Sequence, residues 1–316
     1  MSTLDRPIDD NTLETSLEAP PLSLMQMAWR RFRRHKLAMT SVVLLVILML
    51  FIFGGALVFS EADANYNDTT RRLQPPSAEH PFGTDTIGRD ILARTIYGGQ
   101  ISILIGLTAV VVQIVVGVLL GALSGYYGGW VDSILMRFTE AILTIPLLFL
   151  LLVMAKFFSG KVPNINLFGR TFSGSVVVIV LIIGLTSWPR LARIVRAEFL
   201  ALKENDFVLA ARATGTSNAQ IMFKHILPNT VAPIVVTATL SVAGAIISEA
   251  YISFLGLGVQ PPTATWGNMI TGATTYIEYA PWIWFFPGVL ILLTVLSINF
   301  LGDGLRDALD PHSRPE

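Results

Sequence analysis

A chain of 316 residues that is 53% hydrophobic and 14% charged, with a mean hydropathy of +0.62, is too apolar for an ordinary soluble domain. Its 22 Lys and Arg balance 22 Asp and Glu, so no overall basic field draws it to nucleic acid. It has no cysteine, which excludes disulfides, thiolate catalysis and Cys-ligated metals. Its histidines, His35, His80, His225 and His312, are scattered without metal-ligand spacing.

Residues 1–21, rich in Asp, Glu, Ser, Thr and Pro, read as a disordered cytosolic tail. Over 22–36, Leu22, Met25, Trp29 and Phe32 recur every three or four residues opposite Gln26, Arg30, Arg33 and Arg34. That pattern suits an amphipathic helix in the membrane surface; a plain basic flank has the same composition. The first span is expected at about 37–59, and the basic cluster Arg30, Arg31, Arg33, Arg34 and Lys36 places the N-terminus in the cytosol. Ala62-Asp63-Ala64 has the form of a signal-peptidase site, but the apolar run is too long and too far into the chain, so the span reads as an uncleaved anchor.

Residues 60–99 form an outer loop. Within it, HPFGTDTIGRDILARTIYGG carries an amphipathic turn with Ile87, Ile91 and Ile96. Asp85 and Asp90 have two readings: a cation site, or a capped surface helix in which they pair with Arg89 and Arg94. The second span is expected at about 101–123, with Gly106, Gly117, Gly121 and Gly125 giving a small-residue face for close helix packing. After the turn GYYGGWVD, a third span at about 134–155 holds Arg137 and Glu140, either a self-neutralising pair or the start of a proton relay. Pro146 predicts a kink there. An outer loop at 156–174 precedes a fourth span at about 175–188, after which Pro189, Arg190, Arg193 and Arg196 mark the cytosolic exit.

The segment 198–229 is polar and unusually long for a connection between spans. Phe199, Leu202, Phe207, Ala210, Ala211 and Ala213 among Lys, Glu and Arg predict a helix, and Gly215 breaks it. Thr216, Ser217 and Asn218 can cap a second helix whose apolar face carries Ile221, Met222 and Ile226, and Pro228 is expected to stop it. The segment is either a solvated connector or a docking lever for a cytosolic partner. The fifth span, about 231–255, contains Glu249 near its outer end, within expected reach of water; a lone intramembrane acid is a functional-site candidate. Thr237, Ser241 and Ser248 share a side of this helix and, with Glu249, are candidates to line a translocation path. The outer loop 256–282, with Pro261-Pro262, Trp266, Tyr276, Tyr279 and Trp282, reads as re-entrant or interfacial with aromatics at headgroup depth. A sixth span at about 283–301 leads into a polar cytosolic tail. The sum is an all-α integral membrane protein with six transmembrane helices and both termini cytosolic.

Enzyme signatures are missing: no GxxxxGK[ST] phosphate loop and no Ser/His/Asp, HExxH or Rossmann pattern stands out. The spans hold few ionisable residues, which weakens the alternative of an ion-coupled secondary transporter. Energy for uphill movement would then come from a partner, and 198–229 is its natural contact.

Several strings resemble the permease subunits of bacterial ATP-binding-cassette (ABC) importers, specifically the C-type subunit of the dipeptide/oligopeptide/nickel family. LAARATGTSNAQIMFKHILP (209–228) is similar to the family's EAA coupling motif, with Ala210, Ala211, Gly215, Leu227 and Pro228 in the expected places and Leu209 where Glu often opens the box. HPFGTDTIGRD (80–90), SGYYGGWVDSILMR (124–137), SFLGLGVQPPTATWG (253–267) and NFLGDGLRDALDP (299–311) also resemble the C-type subunit. The resemblance implies a type I importer-like fold in the bacterial inner membrane and half of a channel for di- or oligopeptides. Close relatives carry nickel complexes, glutathione or opine-like solutes. It implies a second, B-type permease, two ATPases holding the ATP and Mg that this chain does not bind, a periplasmic or lipid-anchored binding protein, and surrounding membrane lipid. In that arrangement Ile221, Met222 and Phe223 enter a groove on the ATPase, and Lys224 and Arg212 meet its acidic rim. The chain itself catalyses no bond chemistry.

Overall fold

The computed structural model describes residues 23–167 and 170–310. The tail expected at 1–21, like Leu22 and His312, lies outside these residues. Ser23 opens helix α1 (Leu24–Arg34) with a reciprocal capping box to Gln26. His35 ends α1 and caps α2 (Lys36–Met49), its Nδ1 accepting the Ala38 N–H at 3.1 Å. A π-helical turn, Leu50–Gly54, completes this first apolar rod, which ends earlier than 59. Met25 and Trp29 on α1 are exposed, as an interfacial helix requires, but Phe32 is buried against Ala38 and Ala308. The Arg31 guanidinium donates to the Asp310 carbonyl at 2.9 Å, so α1 is also pinned to the far end of the chain.

Beyond the short α3 (Glu61–Asn65), Asp90 caps α4 (Ile91–Tyr127), a single helix of 37 residues. The expected surface turn and second span are thus one rod. At 1.5 Å per residue it is about 55 Å long, well beyond a hydrocarbon core of about 30 Å. The two aspartates separate: Asp85 accepts the Arg89 Nε–H at 2.6 Å, while Asp90 caps α4 and pairs with His80 Nδ1 at 2.7 Å. This is the capped-helix reading, except that Arg94 pairs with neither.

Gly128 turns the chain into α5 (Gly129–Thr144), which breaks at Ile145-Pro146 into α6 (Leu147–Phe158) with a bend of 88°. Proline offers no N–H and forces the preceding residue to extended backbone, so the expected kink is a full break. Arg137 and Glu140 do not pair: both are exposed, and no ion pair between them occurs among the described residues. A small antiparallel hairpin, β1 (Ile165–Leu167) with β2 (Arg170–Phe172), occupies the next loop.

Helix α7 (Gly174–Leu202) runs through Pro189 instead of ending at Trp188. One lost helical hydrogen bond is offset by burial of Leu191, Ala192, Val195 and Phe199 beyond it. Glu198–Leu202, expected to start the polar lever, therefore finish α7. After α8 (Asp206–Ala213) and α9 (Asn218–Gln220), a π turn Ile221–Ile226 and a 3₁₀ turn Leu227–Thr230 lead straight into α10 (Val231–Phe254). Pro228 does not stop this run; it sits in the first positions of the 3₁₀ turn, where a missing N–H costs little. Past α11 (Trp266–Met269), α12 (Trp282–Leu309) carries helix well into the expected polar tail.

Five helical rods, Lys36–Gly54, Ile91–Tyr127, Gly174–Leu202, Asn218–Phe254 and Trp282–Leu309, are long and apolar enough to cross a membrane, and there are six spans if the bent α5–α6 pair counts as one. Their central seam is α4 against α7, closed by the predicted glycine face. A Cβ on Gly121 would stand 2.5 Å from the Ala192 carbonyl oxygen, and one on Gly125 would stand 2.6 Å from the Phe199 Cβ. Gly117 meets Leu191 in the same way, while Gly106 turns to Ile246 of α10. Only glycine lets these backbones approach so closely.

Candidate coupling site

The segment between α7 and α10 folds into a knob. Val208 and Ala211 recur at helical spacing on α8 and turn inward. Gly215 ends that helix with φ +78°, the left-handed conformation that costs glycine least, and the space where a Cβ would project is open. Its requirement is therefore conformational and not steric. Ser217 caps the next turn through a reciprocal box with Gln220. Ile221, Met222 and Ile226 then turn inward too. Together these side chains form a dry cluster with Ala122 and Tyr126 of α4 and Leu191, Val195 and Phe199 of α7.

Polar contacts fix the rim. The Tyr126 hydroxyl bonds Asn218 Oδ1 at 2.8 Å, and the Arg212 guanidinium carbon lies 5.6 Å from the Tyr126 ring centroid. Beside the knob, Arg196 of α7 grips Asp132 of α5 with two parallel bonds, Nη2 to Oδ2 at 2.6 Å and Nε to Oδ1, and Ser124 donates to the same carboxylate. Sequence reasoning took Arg196 only as a topology signal and gave Asp132 no role. The clue was present in SGYYGGWVD, where an acid closes a stretch of glycines and aromatics between two apolar helices.

Burial sorts the expected coupling residues into two sets. Ala211, Ile221 and Met222 are buried in this chain's own core, so Ile221 and Met222 do not enter a partner's groove; the hydrophobic face of their turn is used internally. Leu209 and Phe223, each 46% exposed, and Phe207, 39% exposed, carry the outward apolar surface. Ala210, Arg212, Gly215, Lys224 and Pro228 are exposed around them, and Leu227 is half-buried.

The expected path residues have unlike surroundings, with Thr237, Ser241 and Ser248 half-buried and Glu249 fully buried. Thr237 and Ser248 donate to carbonyls of their own helix, at Pro233 and Gly244. Ser241 accepts Gln113 Nε2–H of α4 at 3.0 Å and so bridges two helices. Glu249 is fully buried, contrary to the expected access of water. Its carboxyl accepts from Ser253 Oγ at 2.6 Å and from Ser102 Oγ of α4 at 3.2 Å. Those hydroxyls in turn accept the backbone N–H of Val259 and of Trp266, so the 253–267 string is wrapped around Glu249. Trp266 is buried as well, its indole donating to the Thr95 carbonyl at 2.9 Å, and Trp282 donates to the Thr84 carbonyl at 3.1 Å. These indoles tie the loop to the 84–95 stretch, while Tyr279 of the same loop stays exposed.

Comparison with known proteins agrees with this architecture. Residues 117–315 match the family described as binding-protein-dependent transport system inner membrane component, and residues 23–76 match the N-terminal TM domain of oligopeptide transport permease C. The oligopeptide transport system permease protein OppC of Bacillus subtilis strain 168 is 41% identical over 294 residues, 93% of this chain and 91% of that protein. OppC of Haemophilus influenzae is 39% identical over 311 residues, covering 97% and 94%. The dipeptide transport system permease protein DppC of B. subtilis is 39% identical over 308 residues, covering 97% and 91%. Among solved structures, an inward-facing conformation of the MetNI methionine ABC transporter aligns with TM-score 0.54 at 21% identity, covering 70% of this chain and 98% of that one. This chain belongs to the family of binding-protein-dependent transport system inner membrane components, as a permease of the ABC importer fold in the inner membrane.

Proposed function

We propose that this chain is half of the channel of an ATP-driven peptide importer, and that α8, the Gly215 turn and the turns to Thr230 form the lever on which separate ATPases act. The observation that carries the reading is the two-sided knob: one side is sewn by apolar side chains to α4 and α7, and the other leaves Leu209, Phe207 and Phe223 uncovered beside Arg212 and Lys224. Exposed apolar residues edged by cations suit an apolar groove with an acidic rim. Because the buried side is contiguous with two transmembrane rods, a push on the knob moves those rods as one body. Leu209 in place of an opening Glu makes the contact at that position apolar, without an ion pair. The knob's face is cytosolic in this reading, in line with the basic residues before α2 and along the end of α7.

The other parts follow. A B-type permease supplies the second half of the channel, two ATPases hold the ATP and Mg, and a periplasmic or lipid-anchored protein delivers the substrate. Peptides are the substrate by kinship with the oligopeptide and dipeptide permeases. This subunit moves solute and breaks no bond.

The test is co-purification of the ATPases from membranes of the native host, with ATPase activity as readout. Leu209→Asp combined with Phe223→Asp should insert normally and lose the ATPases at least tenfold, since neither side chain is part of the internal cluster. Retention of the ATPases by that variant would make the segment a connector only. Ala211→Asp is the wrong probe, because it strikes the buried side.

A further inference from the structure

At the end of the bundle remote from the knob, a small pocket of about 70 Å³ lies between the 80–94 segment and the loop leading into α12. Arg94, Arg89, Asp85, Asn268 and Tyr276 line it. Arg94 is only 3% exposed. Among the described residues its hydrogen bonds run through Nη1 alone, to the Ala64 carbonyl at 3.3 Å and Asn65 Oδ1 at 3.5 Å, both long. No carboxylate among the described residues forms an ion pair with it. Asp85 is already committed, one oxygen to the backbone N–H of Ile87 and Arg89 and the other to Arg89 Nε. The cavity therefore holds two guanidinium groups against one carboxylate.

A buried cation without a counter-ion is costly, and the cost falls when an anion enters. The Nε–Nη2 edge of Arg94, unused among the described residues, is the edge that grips a carboxylate with two parallel bonds. The Tyr276 hydroxyl, also without a hydrogen bond among the described residues, is a further donor in the same wall. A space of about 70 Å³ has room for little more than two waters, which admits a carboxylate group and excludes a peptide backbone. We propose that Arg94 is the floor of a carboxylate-binding site between these two loops, filled by a free small carboxylate or by an acidic side chain of a docking chain. The site does not depend on the lever reading, because it can be probed on this chain alone.

The experiment measures the unfolding midpoint of the full chain in lipid nanodiscs with sodium formate, against sodium gluconate at equal ionic strength. Formate should raise the midpoint saturably by about 2 °C or more, and gluconate, too large to enter, should not. Arg94→Lys keeps the charge but loses the fork, and should weaken the formate response at least fivefold. Thr86, half-buried, also lines the pocket; Thr86→Trp fills the space without changing Arg94, and should abolish the response while keeping the ligand-free midpoint. Equal stabilisation by both salts, or a formate response that survives Thr86→Trp, overturns the proposal. The two sources then separate: a blocked Gly-Asp-Gly peptide, whose sole carboxylate is its side chain, displaces formate if the occupant is an acidic side chain and leaves it bound if only free anions fit.

Discussion

The two ends of this molecule share apolar packing and differ in where their polar contacts lie. At the knob, the buried side is a dry cluster of Val208, Ile221, Met222 and Ile226 on α4 and α7, and polar contacts are confined to the rim. At the other end, apolar clusters around Ile91 and Ile283 and around Ile52, Ile103 and Trp266 are joined by a buried polar clasp, in which Glu249, Ser102, Ser253 and the Trp266 indole and backbone are hydrogen-bonded to one another or to neighbouring backbone. Apolar packing is non-directional and tolerates small shifts of the surfaces it joins, whereas a buried hydrogen-bond network is satisfied in one arrangement only. If the knob is the lever proposed above, its apolar packing lets it stay attached while it moves, whereas the far loop is held to one conformation. The glycine seam of α4 and α7 joins the two ends.

The seam is the place where both ends break together. Gly121→Val puts side-chain atoms into the Ala192 carbonyl and the Val195 side chain, with backbone on one side and no flexible tip to move away. Overpacking of this kind costs about 1–3 kcal/mol, and more where the backbone cannot yield. The variant is expected to lose most of its folded yield in detergent, and both ends should become protease-sensitive at once. Cleavage at one end only would show that the seam does not couple them.

Glu249 separates the ends. Glu249→Leu leaves the Ser102 and Ser253 hydroxyls without their acceptor in a dry site, a penalty of about 2–3 kcal/mol in the unfolding midpoint region. Glu249→Gln keeps an acceptor oxygen and should lose about half as much. In both, proteolysis should begin in the 256–281 loop while the knob stays protected. Loss of knob protection at the same denaturant concentration would mean that the polar clasp holds the whole fold.

Much of this contrast was legible in the chain, for physical reasons that differ by element. The long apolar runs and the glycine spacing of α4 were readable because membrane helices must be apolar and close packing admits only small residues. Gly215 was readable because few residues accept a positive φ. Helix ends were less so: Pro189 and Pro228 look like stops, yet tertiary burial of Phe199 in one case and a position in a first turn in the other let the chain wind on. The sidedness of the knob was misread because Ile221, Met222 and Phe223 are adjacent apolar residues, and only the fold says which of them the chain uses for itself. Glu249 was misplaced for a similar reason. Its partner Ser102 is 147 residues away, and no local pattern announces a pair across such a distance.

The smallest expected effect sharpens the comparison most. Tyr126→Phe removes the hydroxyl that bonds Asn218 and keeps the ring that packs against Phe199 and lies beneath Arg212. Asn218 is exposed, so its side-chain oxygen regains water, and the loss should be about 1 kcal/mol or less. Denaturant unfolding checks this directly, and ATPase recovery from membranes should match the parent chain. If the polar rim were as important at the knob as the clasp is around Glu249, this one hydroxyl would cost as much as Glu249→Leu. A ratio near one would overturn the division of labour between the two ends; a ratio of about one half or less is what an apolar hinge and a polar clasp require.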